Sequence, residues 1–555
     1  MLDILFSHSY YYPLDKKQWE NKTPYPPLGT IYAASLMREN NFSVSLFDTN
    51  LRNNPFEIEK QIQEKKPSFL VIYDDGFNYL TKMCLTNMRE AAFEMITIGK
   101  KYNCTVIVNS SDSTDHYKKY LDAGADFIIL GEGELTLKEL VTKVKNQESV
   151  TDINGIVYKK EEKLITNKKR EVLKDLDELP MPAWDLIDVD AYKKVWSERG
   201  KKFTLNIATT RGCPYKCNWC AKPIYGVRYN SHSPEYITKL ISYLKDNYGV
   251  TNFWMCDDIF GLKPRWVQKF NKELKKAELK ISYVIQSRVD LLLKEDTIDA
   301  LAESGLKEVW VGAESGSQKI LDAMDKGTQL SQIHDATRLL KLKKVKVAFF
   351  IQFGYLGETK KDIAKTIAMI KELQPDNIGV SVSYPLPGTK FYEMVKDDLN
   401  LKSNWTDSDD LAMMFQGTFN SNYYKKLHRY VHKEYRKSQA VANYKSFLRN
   451  PFSTSFYNLR SMFLYFYYLP SSMFDRILLD KMERVLGNTK YNFWGYNASP
   501  KDNEIPGLNA ESNYPDNIRG IDSSAAMCRE AKTKLKSINA NMEKIHIEEG
   551  DLIDC

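Results

Sequence analysis

The chain lacks any apolar run long enough to cross a bilayer. The stretch that comes nearest, residues 462–469, is rich in aromatics but is followed at once by Pro470, whereas a membrane span needs about twenty apolar residues. Such a stretch is typical of a buried helix, with a peripheral membrane contact or a lipophilic-substrate contact as the alternative. The sequence therefore predicts no integral membrane segment.

Cysteine is also scarce, since the 555 residues include only eight. Small secreted domains that depend on disulfides carry many more for their size. No positively charged segment followed by an apolar stretch and a cleavage site is recognisable as a secretion signal. We therefore expect a cytoplasmic protein in a reducing compartment, in which thiols stay available for metal binding or catalysis.

A strong charge imbalance is missing as well. The 79 basic and 72 acidic residues leave a formal net charge of +7, and the lysines are spread along the chain rather than gathered in one block. A nucleic-acid-binding surface needs a concentrated basic patch, so no nucleic-acid partner is implied. The length predicts about three to four domains, and 43% hydrophobic residues can fill their cores.

Strands and helices alternate in the first third of the chain. Apolar, β-rich runs are each followed by a segment with helical spacing, and the runs are residues 2–7, 43–47, 69–73, 105–108 and 127–130. Strands separated by helices pair in parallel with right-handed crossovers, which predicts an α/β fold with a doubly wound, Rossmann-like sheet. No Gly-x-Gly-x-x-Gly follows the first strand, so a dinucleotide is a poor candidate ligand.

Polar residues follow several of these strands. Doubly wound sheets bind their ligands in the crevice beyond the carboxyl ends of the strands, so residues at those ends are candidate cofactor contacts. They are Tyr73, Asp74, Asn109, Ser110, Gly131, Glu132, Gly133 and Glu134.

Three cysteines stand close together in the middle of the chain. Cys213, Cys217 and Cys220 follow the spacing Cys-x-x-x-Cys-x-x-Cys within one short loop. Three thiolates can hold three corners of a four-iron four-sulfur cluster and leave the fourth iron open to a small molecule. A structural zinc site is the alternative, and it needs a fourth ligand such as Cys256 or His232, neither of which has the paired spacing of zinc modules. The three cysteines are thus candidate metal ligands and the candidate catalytic centre.

This loop, with Trp219 just before its last cysteine, resembles the cluster loop of the radical S-adenosylmethionine (SAM) superfamily. The resemblance implies a [4Fe-4S] cluster whose open iron binds the amino and carboxylate groups of SAM. It also implies that one electron, from an external donor such as a flavodoxin or ferredoxin, splits the sulfonium to give a 5'-deoxyadenosyl radical.

The middle third of the chain predicts a partial (β/α)6 barrel around the cysteine loop. Six strands alternate with helices, at residues 203–208, 253–255, 283–286, 309–311, 347–352 and 378–382. Reactive groups in such barrels gather at the carboxyl ends of the strands. The candidate SAM-binding residues at those ends are Asp257, Asp258, Arg288, Gly312, Glu314, Ser315 and Gln352.

Three of these residues have more specific expected roles. Arg288 is placed for a bidentate grip on the SAM carboxylate, with a salt bridge at the barrel rim as the alternative. Glu314 looks like the glutamate of the family's Gly-x-Glu element, which hydrogen-bonds SAM. Asp257 stands, loosely, where the family has a motif that contacts the SAM amino group, and it could instead cap the segment that follows.

Residues 25–29 and 131–134 look like parts of the cobalamin-binding domain that precedes many radical SAM barrels. That domain often carries Asp-x-His-x-x-Gly, whose histidine ligates cobalt from below, but residues 48–53 read Asp-Thr-Asn-Leu-Arg-Asn. The resemblance therefore implies cobalamin held without a histidine lower ligand, as in the methylase branch of the superfamily. A domain that has lost cobalamin is the alternative.

Residues 311–327, 353–359 and 378–392 resemble most closely the branch that contains the anaerobic magnesium-protoporphyrin IX monomethyl ester cyclase. The likeness covers roughly residues 1–445. We expect five segments: a cobalamin-binding domain at 1–150, a hairpin and proline-rich linker at 151–195, the radical SAM barrel at 196–400, a helical aromatic-rich region at 401–495, and a polar strap with a terminal helix at 496–555.

His428 and His432 stand four residues apart in the predicted helical region. Such a pair can bind a metal or act as acid and base, although a solvated helix face is the favoured interpretation.

Together these features predict a cobalamin-dependent radical SAM enzyme that functionalises an unactivated carbon of a small-molecule substrate, most simply by methyl transfer. Anaerobic oxidative cyclisation of a tetrapyrrole-like or other lipophilic substrate is the second enzymatic hypothesis. A cobalamin-responsive binding protein with a structural cluster is the third. Arg288 and Glu314 argue against the third, because a structural cluster needs neither.

Overall fold

Two parallel sheets follow one another along the chain, and a group of long helices comes after them. In the computed structural model, residues 2–78, 81, 85–220, 224–399, 404–408, 410–449 and 456–493 are described. They belong to one unit, Met1–Phe493, and a second unit comprises Trp494–Cys555. The predicted polar strap and terminal helix at 496–555 therefore lie outside the described residues.

The first sheet has seven strands. They are β1 (Ile4–Ser7), β2 (Val44–Phe47), β3 (Phe69–Tyr73), β4 (Thr105–Asn109), β5 (Phe127–Ile129), β6 (Ile156–Lys160) and β7 (Lys163–Thr166). Their order is β2-β1-β3-β4-β5-β6-β7. The first five pair in parallel, and β6 and β7 add an antiparallel hairpin at the edge. The predicted doubly wound sheet is confirmed.

Helices cover both faces of this sheet. They are α1 (Lys16–Asn21), α2 (Leu28–Glu39), α3 (Ile58–Lys65), α4 (Thr86–Lys101), α5 (Ser111–Asp115), α6 (Tyr117–Asp122) and α7 (Glu134–Lys145). Because successive strand residues point to opposite faces, Leu70 packs in one core with α3 and α4, and Val71 packs in the other with α2 and α7. Two covered faces explain why β3 is apolar throughout and fully buried.

The second sheet is the predicted partial barrel. A short helix, α8 (Val189–Ser197), leads into its six strands, β8 (Leu205–Ile207), β11 (Asn252–Met255), β12 (Ser282–Ser287), β13 (Leu306–Glu314), β14 (Lys346–Phe353) and β15 (Asn377–Val382). All neighbours pair in parallel and follow chain order, so β8 and β15 form the two edges. A separate two-stranded ladder, β9 (Thr210–Arg211) with β10 (Asn230–Ser231), frames the cysteine loop.

The barrel helices are α9 (Pro234–Tyr248), α10 (Trp266–Lys276), α11 (Val289–Leu292), α12 (Thr297–Glu303), α13 (Gln318–Ala323), α14 (Leu330–Leu342), α15 (Lys360–Leu373) and α16 (Lys390–Val395). The sequence signals of α9 are clear. Ser233 Oγ accepts a hydrogen bond from the Tyr236 N–H, a proline takes the first helical position, and Gly249 ends the helix in the left-handed conformation.

Each edge strand of the barrel sheet contacts another part of the chain. At β8, the side chain of Asn206 donates to the carbonyl of Pro26, 2.9 Å away. At β15, the long helix α17 (Ser421–Arg449) lies alongside. The Tyr435 hydroxyl on this helix donates to the carbonyl of Pro375 at 3.1 Å.

Two further helices, α18 (Phe456–Phe463) and α19 (Tyr465–Phe493), pack against α17. An ion pair between Lys371 and Glu434 ties α17 to α15, and the Tyr423 hydroxyl donates to Glu483 of α19 at 2.8 Å. Among the described residues, none of the helices combines the length and the apolar character that crossing a membrane requires.

Two interpretations of this helical region are wrong. His428 and His432 are partly buried with ring centres 4.5 Å apart, and burial lowers the pKa of each to about 4, so they do not form a solvated face. The aromatic run at 462–469 is not a buried helix, because Phe463, Phe466 and Tyr467 are 74%, 75% and 60% exposed.

Candidate active site

The cysteine loop begins at a position that only glycine can occupy. Gly212 has φ +78°, and a Cβ atom there would lie 2.4 Å from the carbonyl oxygen of Arg228. Farther along the loop, the Asn218 N–H donates to the Met324 carbonyl at 3.0 Å, and its side chain donates to Ala323 O at 2.7 Å. The Tyr355 hydroxyl donates to Asn218 Oδ1 at 2.9 Å. These bonds fix the loop that carries the three cysteines.

Cys213, Cys217 and Cys220 are all partly buried. Within the described ranges, no group of three histidine, cysteine, aspartate or glutamate side chains is arranged to hold a single metal ion. A four-iron cluster spreads its sulfur ligands more widely than a single ion does, and three thiols with no carboxylate among them suit such a cluster. The donor set therefore fits a [4Fe-4S] cluster.

The two candidate fourth ligands for zinc are committed elsewhere. The Cys256 thiol is buried and donates to the carbonyl of Ile207 at 3.3 Å. The His232 ring stacks on Tyr236 at 4.1 Å, and its Nδ1 lies 2.9 Å from an oxygen of Asp177. Both residues belong to the core of the barrel, which removes the support for a structural zinc site.

Arg288 lies against the cysteine loop. Its Nη1 is 3.9 Å from the Cys217 sulfur, and its guanidinium stacks 3.9 Å from the centre of the Tyr215 ring. Nε donates to Asp290 at 2.9 Å and Nη2 to the hydroxyl of Thr328 at 3.1 Å. The guanidinium is therefore buried beside the loop, and its contact with Asp290 is an ion pair of the kind expected as the alternative role.

Glu314 ends β13 in an uncommon conformation. Its φ is +55°, and the pairing of β13 with β14 shifts register between Gly312 and Glu314. The carboxylate is buried and forms an ion pair of 2.8 Å with Lys326. A Cβ atom at Gly312 would lie 2.5 Å from the Lys326 ammonium, so glycine makes room for this pair. Backbone strain of this kind is concentrated at functional sites.

The remaining predicted SAM contacts point to different tasks. Asp257 is 1% exposed and accepts bonds from the N–H groups of Thr209 and Thr210, both at 2.7 Å, which anchors the chain just before the cysteine loop. Burial raises its pKa to about 7. Asp258 is exposed. Further along, Ser315 Oγ lies 3.2 Å from the Thr366 hydroxyl, and the Gln352 amide donates to Ser383 at 2.9 Å.

The carboxyl edge of the first sheet brings its predicted residues together. The Asn109 amide donates to the carbonyl of Gly131 at 3.0 Å, and a Cβ atom at Gly133 would lie 2.9 Å from the Tyr73 ring. Ser110 Oγ caps α5 by accepting from the Ser113 N–H. Asp74 accepts two bonds from Ser9, at 2.6 and 2.7 Å.

Two polar atoms at this edge have no hydrogen-bond partner among the described residues. They are Ser111 Oγ, just beyond β4, and Glu134 Oε2, in the first turn of α7, and both are buried. A buried polar atom without a partner costs free energy, and a bound group that is not part of the chain is one explanation. The unpaired atoms fit a polar cofactor at the edge where the sequence predicts cobalamin.

His8 lies at the same edge, beyond β1. Its Nε2 is 3.0 Å from an oxygen of Asp48, and its Nδ1 is 2.9 Å from the hydroxyl of Thr49. The ring is 2% exposed. Both nitrogens are thus engaged by the segment that lacks the expected histidine, in agreement with cobalamin held without a histidine lower ligand.

Arg211 joins the two sheets, and no pattern in the sequence indicates its partners. This residue precedes the cysteine loop and is buried, with Nη1 2.5 Å from Glu132 and Nη2 2.8 Å from Glu134. Its guanidinium also lies 5.1 Å from the centre of the Tyr225 ring. Burial raises the pKa of the Glu132 carboxyl, and Arg211 opposes this rise. The two candidate cofactor edges therefore meet at one buried charge cluster.

The chain is similar to several known proteins. The family model described as the radical SAM superfamily matches residues 207–370. The chain is 30% identical over 387 residues to an uncharacterized methyltransferase of Pyrococcus horikoshii, covering 68% of this chain and 81% of the relative. It is 23% identical over 484 residues to the anaerobic magnesium-protoporphyrin IX monomethyl ester cyclase of Rubrivivax gelatinosus, covering 82% and 84%.

Two solved structures share the fold at low identity. The cobalamin-dependent SAM radical enzyme OxsB, with aqua-cobalamin and SAM bound, aligns with a TM-score of 0.63 at 17% identity, over 88% of this chain and 80% of the other. The radical SAM methyltransferase TsrM from Kitasatospora setae, with cobalamin and a [4Fe-4S] cluster bound, aligns with a TM-score of 0.59 at 16% identity, over 72% and 75%. The 30% identical relative and the matching family model show that the chain belongs to the radical SAM superfamily.

Proposed function

We propose that the protein is a cobalamin-dependent radical SAM enzyme that functionalises an unactivated carbon, most simply by methyl transfer. One observation carries the proposal: Arg211 spans directly from the cysteine loop of the barrel to the Glu132 and Glu134 edge of the first sheet. A cluster held by the loop and a cobalamin held at that edge would therefore face each other across a short seam.

In this proposal Cys213, Cys217 and Cys220 hold the cluster. Arg288, which already lies beside Cys217, offers a fork of N–H donors to the carboxylate of SAM. Glu314 offers a carboxylate to its ammonium or ribose groups. We assign smaller contributions to SAM binding to the other predicted contacts, which are Asp257, Asp258, Gly312, Ser315 and Gln352.

Cobalamin is assigned to the carboxyl edge of the first sheet. The support is the pair of unpaired buried atoms on Ser111 and Glu134, together with the predicted contacts at that edge, which are Tyr73, Asp74, Asn109, Ser110, Gly131, Glu132, Gly133 and Glu134. Polar groups with unused hydrogen-bonding capacity suit the amide-rich rim of a corrin.

When bound, these cofactors supply a hydrogen-abstracting radical and a transferable methyl group. The chain binds and orients them. Arg288 sets the position of SAM relative to the cysteines, and Asp257 holds the backbone of Thr209 and Thr210 ahead of the loop. Orientation of this kind is a large part of what a protein adds to cofactor chemistry.

Oxidative cyclisation is the second candidate function. It is favoured by the likeness to the cyclase of Rubrivivax gelatinosus, which extends over 84% of that protein. A binding protein with a structural cluster is not favoured, because Arg288 and Glu314 are built into the surroundings of the loop.

The substrate is a small molecule, and reduction needs an external one-electron donor such as a flavodoxin or ferredoxin. We further assign a lipophilic substrate and a peripheral membrane contact to the helical region. The support is the exposed aromatic surface of Phe463, Phe466 and Tyr467, with basic residues exposed at Lys445 and Arg449 on the neighbouring helix. Exposed apolar and basic side chains on neighbouring helices favour an anionic bilayer interface.

The test is product analysis on protein purified without oxygen and supplied with iron, sulfide, hydroxocobalamin, SAM and a strong reductant. 5'-Deoxyadenosine together with S-adenosylhomocysteine supports the methyltransferase. 5'-Deoxyadenosine alone favours cyclisation or oxidation. Absence of both products, in protein shown to contain its cluster, rejects both enzymatic proposals.

A further inference from the structure

Lys326 is a buried lysine beside the candidate cluster site. It lies in the turn after α13 and is 7% exposed. Its Nζ is 2.8 Å from Glu314 Oε1 and 5.9 Å from the centre of the Trp219 ring, and Trp219 stands between the second and third cysteines of the loop. Lysine is rarely buried unless its charge is needed by a neighbour.

The turn that carries Lys326 is bonded to the cysteine loop. Asn218 donates to the carbonyls of Ala323 and Met324, and Arg288 donates to the hydroxyl of Thr328 at 3.1 Å. These bonds hold the Lys326 ammonium at a constant distance from the cysteine loop. That distance would stay the same when a cluster bound to the loop gains or loses an electron.

The ammonium remains charged at neutral pH. Burial disfavours the charge, but the ion pair with Glu314 outweighs this effect and raises the pKa of Lys326. Glu314 neutralises part of its field. The remaining field acts on the cysteine loop through a poorly solvated region, where charges interact more strongly than in water.

We propose that Lys326 is a positioning residue whose positive charge, opposed by that of Glu314, sets how readily the cluster on the cysteine loop accepts an electron. This inference rests on the proposed function, because it requires a cluster at Cys213, Cys217 and Cys220. One electron passes from the external reductant to the cluster, and no proton or bond is exchanged in that step. A fixed cation nearby stabilises the more negative, reduced form.

The alternative is that Lys326 serves only to neutralise Glu314 in the folded chain. The two roles differ in what two single variants do. A cation that tunes the cluster predicts shifts of opposite sign for Lys326→Met and Glu314→Gln, whereas a purely structural pair predicts no shift from either variant once the protein has folded.

The experiment is a reductive titration of reconstituted protein without SAM, followed by the electron paramagnetic resonance signal of the reduced cluster. Lys326→Met should make reduction about tenfold less favourable, a shift of about 59 mV to more negative potential for a one-electron couple. Glu314→Gln should shift the potential in the positive direction, and Lys326→Arg should retain the wild-type value.

Equal potentials for wild type, Lys326→Met and Glu314→Gln overturn the inference, and so do shifts of the same sign. If Lys326→Met does not fold, the doubly substituted Lys326→Met, Glu314→Gln protein, which leaves no buried charge unpaired, takes its place. Because Glu314 offsets only part of the field of Lys326, the potential of the double variant should be more negative than that of the wild type, and a potential equal to the wild-type value overturns the inference. Lack of a cluster in the wild-type protein counts against the proposed function instead, and iron and sulfide analysis distinguishes the two failures.

Discussion

Replacing Arg211 by glutamine should destabilise the protein far more than an ordinary surface substitution. The guanidinium is 3% exposed and forms ion pairs with both Glu132 and Glu134. Removing one partner of a buried ion pair costs about 3–5 kcal/mol, because the remaining charge is left buried. In the variant, the carboxyls of Glu132 and Glu134 avoid this cost only by taking up protons and becoming neutral.

The free energy needed to protonate a carboxyl falls as the pH is lowered. From an ordinary glutamate pKa of 4.5, protonation at pH 7 costs about 3.4 kcal/mol per carboxyl, and at pH 5.5 about 1.4 kcal/mol, at 1.36 kcal/mol for each pH unit. Burial raises the pKa of Glu132 in the folded protein, and without Arg211 the hydrogen bond from the Leu173 N–H is left to oppose that rise. The deficit of the variant should therefore shrink by roughly 2 kcal/mol through Glu132 when the pH falls from 7 to 5.5.

The assay is urea unfolding of the cofactor-free proteins at both pH values, followed by tryptophan fluorescence. The matched control is Arg170→Gln, because Arg170 pairs with Glu139 in a more exposed setting, with side chains 24% and 35% exposed, where a pair contributes about 1 kcal/mol or less. The reasoning would be refuted by equal unfolding midpoints for the two variants at pH 7, or by a deficit of Arg211→Gln that grows as the solution is acidified.

Three further predictions concern other parts of the chain. Cys217→Ala should lose the iron and the charge-transfer absorption of the reconstituted cluster. The control is Cys104→Ala, which should keep both, because the Cys104 thiol lies away from the loop and donates to the carbonyl of a buried proline. Retained iron in Cys217→Ala would reject the loop as the cluster site. The pKa of Asp257 is about 7 in the folded protein, against an ordinary value of 3.8, so the protonated form favours folding and the free energy of unfolding should fall by on the order of 4 kcal/mol between pH 4 and 7. Asp257→Asn should flatten this pH dependence in urea titrations. An unchanged pH dependence in the variant would assign the effect to other groups. Phe466→Asp should lower co-sedimentation with anionic vesicles several-fold, whereas Phe56→Asp, at another exposed phenylalanine, should not; equal binding of the two would remove the helical region from the membrane contact.

The strands could be predicted from the sequence because their pattern is local. β3 was expected at residues 69–73 and forms at Phe69–Tyr73, and β4 was expected at residues 105–108 and forms at Thr105–Asn109. Continuous apolar runs determine these elements within a few positions. The parallel order of both sheets then follows from the alternation of strands with helices.

The partners of the site residues could not be predicted in the same way. Glu314 and Lys326 are twelve residues apart, and Arg211 and Glu134 are 77 apart, so no local pattern links them. The left-handed backbone of Glu314 is equally hidden, because the residue type does not favour it. The His428 and His432 interpretation failed for a related reason: helical spacing identifies a shared face, but not what packs on it.

The contacts at the two edge strands of the barrel sheet determine whether the barrel can be expressed without its neighbouring segments. An uncovered edge strand presents a row of unpaired backbone donors and acceptors, and it readily pairs with the same strand of another molecule. Asn206 joins the β8 edge to Pro26, and α17 lies along β15. A barrel expressed without the segments on either side would therefore keep its cysteines but lose the contacts with Pro26 and α17. We expect such a fragment to self-associate through its edge strands and to accumulate as aggregate.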